Sequence, residues 1–168
     1  LQQQNDKAGF TPLPAALLLL LVTFLISVVQ LVKLNNPKFS TIYDTFLFGI
    51  AGIGGAVIFF LLFFSEHPAT NPNWNFVWLN IFAFIFAILF WVRPAKKMVY
   101  IYHFINFVVL TVFLMLWWLI PQQLPLATIP FSMSLWLRSG TNVWVSIKRR
   151  SKNNRYASFK YMKAGWGE

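Results

Sequence analysis

The sequence predicts an all-α integral membrane bundle of five transmembrane helices, with the N-terminus outside and the C-terminus in the cytoplasm. Three observations predict it. Of the 168 residues, 58% are hydrophobic and 11% charged, more apolar side chain than a soluble domain of this length hides in one core. Five apolar runs approach the ~20 residues that a helix needs to cross ~30 Å of hydrocarbon. Lys and Arg occur in every second connection between them, the asymmetry expected when basic loops stay in the cytoplasm. The runs do not alternate apolar with polar residues as the strands of a membrane barrel do, and a helix satisfies its backbone polar groups internally.

Residues 1–12 begin LQQQNDKAGF and read as a linker. No basic n-region precedes the first apolar run and no small-residue cleavage site follows it. The chain opens at Leu1, and a preceding extracytoplasmic domain is expected. The first helix spans Leu13 to Val32, and Pro12 and Pro14 mark its entry, where proline is tolerated. The second spans Thr45 to Phe64, with Asp44 as a favourable charge at its N-terminus. Its GIAGIGG stretch lacks the spacing of a dinucleotide fingerprint. Ala51 with Gly55, and Gly52 with Ala56, are instead small residues four apart that let a neighbouring helix approach closely.

Between the second and third runs lies FFSEHPATNPNWNFVW, which gathers Glu66, His67, Asn71, Asn73 and Asn75. Pro68 and Pro72 hold the residues before them out of helical conformation. Trp74 and Trp78 place the next helix at headgroup level, on the same side as Trp117 and Trp118. Two readings stay open: a connector made of ordinary turn residues, or the polar rim of a site with Glu66 and His67 as its ionisable groups. The third helix spans Phe76 to Val92 and the fourth Phe104 to Ile120. His103 and Asn106 share a helix face, which points to a mutual or interhelical hydrogen bond. The fifth runs from Leu126 to Ile147 despite Pro130, Arg138 and Gly140, and residues 148–168 form a basic cytoplasmic tail.

The net charge of +10 follows from those loops and that tail, so no nucleic-acid partner is expected. Beside an anionic inner leaflet each basic residue gains about 1 kcal/mol, so the tail is expected on the membrane surface, with Tyr156, Phe159, Tyr161 and Trp166 available to dip in. There is no cysteine. His67 and His103 fall on opposite faces of the membrane, about 30 Å apart, whereas zinc bonds span about 2 Å, so no shared metal is expected. No cofactor is expected either.

SEHPATNPNWNFVWLN after a glycine-bearing helix, then RPAKKMVYIYHFIN, WWLIPQQLP and LWLRSG, resembles the C-terminal five-helix membrane domain of the Lnb family of bacterial lipoprotein N-acyltransferases. The resemblance covers about Pro12 to Gly140, and HPATNPNWN is its most specific motif. It implies a multi-pass protein of the bacterial inner membrane with an upstream periplasmic catalytic domain, membrane lipids and lipoproteins as partners, and transfer of an acyl chain to a lipoprotein's N-terminal amine. By position, His67, Asn71, Asn73, Trp74 and Asn75 would line the floor of that site. A proline often follows the position matching Asn80 in that family; here Ile81 does, which leaves a kink without that cause.

Two functions compete: a membrane module that anchors the acyltransferase and presents lipid to it, or a small transporter or assembly subunit without acyl chemistry. Transporters usually show internal repeats and polar residues near the midplane. No repeat is evident here, and the polar residues are expected at the interfaces, so the first reading leads. Reporter fusions after Asn71 and Gln123 are expected to report outside, and those after Lys38, Lys97 and Lys152 inside. A cytoplasmic signal after Asn71 would invert the assignment.

Overall fold

The computed structural model describes residues 12–33, 38–64 and 73–164, with side chains described to residue 155. It is all-helical among these residues: α1 Pro12–Lys33, α2 Lys38–Phe64, α3 Phe82–Leu89, α4 Lys96–Met115 and α5 Thr128–Ala164, with 3-10 turns at Trp74–Val77, Arg93–Ala95 and Trp117–Leu119. Helices α1 and α2, and the segment Arg93–Met115, are long and apolar enough to cross a membrane.

Side-chain pairs fix the directions. Thr23 meets Tyr43 and Gln30 meets Ser40, so α2 runs antiparallel to α1. Trp91 bonds Thr45 while Leu79 lies against Gly54, so the third segment returns along α2. Trp136 reaches Thr111 and Arg150 covers the Tyr100 ring, so α5 opposes α4. Gln30 joins Asn142 and Ser27 joins Arg138, so α5 runs parallel to α1. The chain thus goes up and down five times. Lys33, Lys38, Arg93, Lys96 and Lys97 gather at one end, called the basic end here; Trp74, Trp117 and Trp118 lie at the opposite end.

The surface is inverted relative to a water-soluble protein. Leu18, Phe46, Ile50, Phe82, Ile105 and Met115 face outward, while Gln30, Ser40, Asp44, His103, Arg138 and Ser139 are buried. This is the pattern expected where the surroundings are hydrocarbon and polar groups must find partners inside.

The second helix starts at Lys38 rather than Thr45, and the others differ from the sequence expectation in three places. The third crossing is not one helix over Phe76 to Val92 but a 3-10 turn, an irregular stretch at Trp78–Ile81 and the eight-residue α3. The Asn80 side chain accepts from the N–H of Ala83 at 3.0 Å, a local bond that competes with continuous helix. The interruption therefore needs no proline. Second, α4 starts at Lys96 rather than Phe104, which brings Tyr102 and His103 into the buried face. Third, α5 continues to Ala164, and 37 residues span about 55 Å. Pro130 sits in its first turn, where its missing N–H has no intrahelical partner to lose.

The interrupted segment packs directly on α2. A Cβ at Gly55 would collide with the Leu79 carbonyl oxygen and lie 2.8 Å from the Ile81 nitrogen, and one at Gly52 would collide with the Phe84 nitrogen and lie 2.7 Å from its Cα. At Gly52 and Gly55, α2 therefore admits the backbone of the interrupted segment itself. Gly49 has open space around its Cβ direction. Gly55→Val is expected to destabilise the protein by about 3 kcal/mol or more, the upper end for overpacking, because the obstructing atoms are backbone. Gly49→Ala should be neutral or add up to about 1 kcal/mol of helix propensity. Thermal unfolding of both in the same detergent checks this, and equal destabilisation would contradict the close packing.

Candidate functional site

Glu66, His67 and Asn71 lie outside the described residues. Asn73, Trp74 and Asn75 are brought together at the start of the 3-10 turn. Asn73 Oδ1 accepts from the Asn75 backbone N–H at 3.1 Å and from its amide Nδ2 at 3.0 Å. Asn75 Oδ1 in turn accepts from Trp78 Nε1 at 3.1 Å. The backbone N–H of Trp74 donates to Gln122 Oε1 at 2.8 Å, tying this turn to the connection before α5. The two asparagines thus shape the turn, whereas the indole Nε1 of Trp74 is buried without a hydrogen-bond partner.

Trp74 opens onto an apolar groove that follows α4. Toward the opposite end it has a volume of ≈ 380 Å³ and is walled by Trp74, Val112, Leu116 and Ile120. Further along, ≈ 520 Å³ lies between Phe82 and Phe86 of α3 and Met98, Ile101 and Ile105 of α4. Val77 and Val109 line both parts. Polar groups are few and close together: Asn80, Asn106 and Tyr102. Asn106 Nδ2 donates to Ser139 Oγ at 2.9 Å, and Asn80 Nδ2 reaches Asn106 Oδ1 at 3.5 Å. The Tyr102 hydroxyl is buried beside Asn80. A mostly apolar groove with a few convergent polar groups has the general make-up of a small-molecule binding site.

Closer to the basic end is a cluster that the sequence reading did not identify. Arg138 is 0% exposed and Asp44 5%. Arg138 Nε donates to Asp44 Oδ1 at 2.5 Å, and one terminal nitrogen to Asp44 Oδ2 at 2.9 Å, a bidentate pair. The same guanidinium reaches Ser27 Oγ at 3.1 Å, Gln30 Oε1 at 2.6 Å and Ser40 Oγ at 2.7 Å. Asn142 Nδ2 donates to Asp44 Oδ2 at 2.9 Å, while Asn142 Oδ1 accepts from Gln30 Nε2 at 3.0 Å. His103 Nε2 lies 3.4 Å from Asn142 Nδ2. Ser27 and Asp44 are each six residues from the basic end of their helices and His103 seven, about 9–10 Å inside.

Three expectations are corrected here. Asp44 is not a charge at a helix N-terminus: α2 begins at Lys38, its first turn holds no acidic residue, and Asp44 is the counter-ion of Arg138. Arg138, expected only as an interruption of the fifth helix, is buried within it and paired. Polar residues do not collect only at the interfaces. His103 and Asn106 do make interhelical contacts, to Asn142 and Ser139 rather than to each other. The missed signal was the spacing Thr23, Ser27, Gln30 and Arg138, Asn142, which puts polar residues on one face of otherwise apolar helices.

Removing one member of a buried ion pair leaves the other charge uncompensated, which costs about 3–5 kcal/mol. Arg138→Leu alone and Asp44→Leu alone are each expected to lower stability by about that amount, and the double variant by less than the sum. Thermal unfolding of all three measures it; additive losses would contradict direct pairing.

A family model described as the Lnb transmembrane domain matches residues 3–150. No curated protein and no solved structure matches the chain. The matched span includes all five helices up to the first basic residues after Ile147, and with it the groove, the buried ion pair and the asparagine turn. This chain belongs to the Lnb transmembrane-domain family.

Proposed function

We propose that this chain is the membrane module of a lipoprotein N-acyltransferase, set in the bacterial inner membrane with its N-terminus periplasmic and its C-terminus cytoplasmic, and with a catalytic domain preceding it. In this reading the groove between α3 and α4 receives an acyl chain of the lipid substrate. Asn73, Trp74 and Asn75, with His67 and Asn71, form its rim beneath the catalytic domain. The observation that carries the reading is the groove itself: apolar along its length and lined by Trp74 at the end where the expected periplasmic loops lie. Membership of the Lnb transmembrane-domain family agrees with the resemblance drawn from the sequence, and acyl transfer is the process which that resemblance implies.

One observation favours a second reading. An ionisable pair within a membrane bundle is a common mark of a transport pathway, and Asp44 with Arg138 is such a pair. Against that use, the guanidinium is engaged by five hydrogen bonds to residues of α1 and α2, which suits a fixed structural role.

The test fills the groove in the full-length protein. Ile105→Trp and Val109→Trp are expected to lower N-acylation of a lipoprotein, read by mass spectrometry, by about ten-fold or more at unchanged membrane abundance, equivalent to about 1.4 kcal/mol or more of barrier. Leu21→Trp, at an outward-facing position of α1 that lines a separate cavity between α1 and α5, should leave it intact. Normal acylation in both groove variants would contradict the acyl-chain reading, and loss in the Leu21 variant as well would show that bulk rather than the groove matters.

A further inference from the structure

A smaller cavity of ≈ 190 Å³ opens at the basic end between α2, the start of α4 and α5. We infer that it binds the phosphate of an anionic phospholipid headgroup, a site independent of the acyl-chain groove and of acyl transfer. Unlike the groove, this cavity is lined mainly by polar groups. Lys96, the first residue of α4, and Arg149 of α5 supply two cations at its walls. The N-terminus of the 20-residue α4 carries no side-chain cap, so its first N–H groups add partial positive charge on the same side.

Neutral polar residues add to these charges: His103, which is 3% exposed, and Asn142 also border the cavity. Hydroxyls from Thr41, Tyr100 and Ser146 surround the remaining space. Asp44 also borders it, but its carboxylate is held by Arg138 and Asn142, so the local balance stays positive. The other walls choose between a lipid and a free anion. Leu89, Phe90, Val92 and Val99 line the same cavity, and Val92 is among the outward-facing apolar residues. A headgroup phosphate between Lys96 and Arg149 would have its glyceryl and first methylene groups on these walls, whereas inorganic phosphate would leave them unused.

The site makes a different claim from a diffuse basic tail. Tail attraction grows with each added charge and falls away within a Debye length. A pocket depends on two particular residues and on its shape. The full-length protein in a neutral detergent is titrated with phosphatidylglycerol, phosphatidylcholine or inorganic phosphate, and binding is read by native mass spectrometry and by the unfolding midpoint. Phosphatidylglycerol is expected to bind and stabilise well beyond phosphatidylcholine. Lys96→Gln with Arg149→Gln should weaken it about thirty-fold, whereas Lys96→Arg with Arg149→Lys should keep it. Ser146→Leu, which narrows the cavity without removing charge, should also weaken it, and it tests the same site if the charge variant fails to accumulate. Lys152→Gln with Arg155→Gln should leave binding unchanged. Undiminished binding in the Lys96/Arg149 or Ser146 variant, loss in the Lys152/Arg155 variant alone, or equal stabilisation by inorganic phosphate would overturn the inference.

Discussion

A guanidinium inside hydrocarbon must be paired, and much of this bundle is arranged around that requirement. Arg138 enters from α5, its carboxylate partner Asp44 from α2, and the remaining donors find Ser27 and Gln30 of α1 and Ser40 of α2. Through Asn142 the cluster extends to His103 of α4. Four helices therefore meet at one set of polar atoms. Apolar surfaces alone would not hold them in one register, because lipid tails compete equally well for apolar side chains. Hydrogen-bonded polar groups have only one arrangement that satisfies them all, so they select among the packings that sterics permits.

The third crossing is held by a different device. None of the cluster's hydrogen bonds involves its residues, and its position follows from the glycines of α2, which admit the backbone of Leu79, Ile81 and Phe84. Aromatic rings add to it: Phe48 of α2 meets Phe90 at 5.6 Å edge to face, and Phe86 of α3 stacks on Tyr102 of α4 at 4.1 Å. Since α3 is bound to α2 and is only eight residues long, it leaves much of α4 uncovered on that side, and this becomes the groove. The proposed acyl-chain channel is thus a consequence of how the third segment is anchored. The two ends of the molecule then differ in chemistry: an indole-rimmed apolar channel at one and a cationic polar cavity at the other.

The fold class was legible because hydrophobicity and length alone dictate it, and the glycine spacing on α2 correctly indicated close approach. The interruption near Asn80 was harder to read, because a single asparagine in an apolar run does not announce whether it caps, bonds a neighbour or faces lipid; here it does both of the first two. Arg138 was read as a flaw in a helix because its partner lies 94 residues away, and one sequence offers no sign of such a pairing beyond the polar stripe. The groove could not be read at all. It depends on what α3 fails to cover, which is a property of the packed bundle. Of the expected rim, Asn73 and Asn75 turned out to bond each other, as turn residues do.

Arg138 and Asp44 form a direct pair inside the bundle. The chain favours a direct test, since it holds only two aspartates, Asp6 and Asp44. Solid-state NMR of the protein in lipid bilayers, with ¹⁵N-arginine and carboxyl-¹³C-aspartate, measures dipolar coupling between guanidinium nitrogens and carboxylate carbons. Nitrogen to oxygen distances of 2.5 and 2.9 Å require strong coupling at one aspartate, lost in Asp44→Asn and unchanged in Asp6→Asn. Absence of that coupling in the unmodified protein, or its survival in Asp44→Asn, would contradict direct pairing of Arg138 with Asp44.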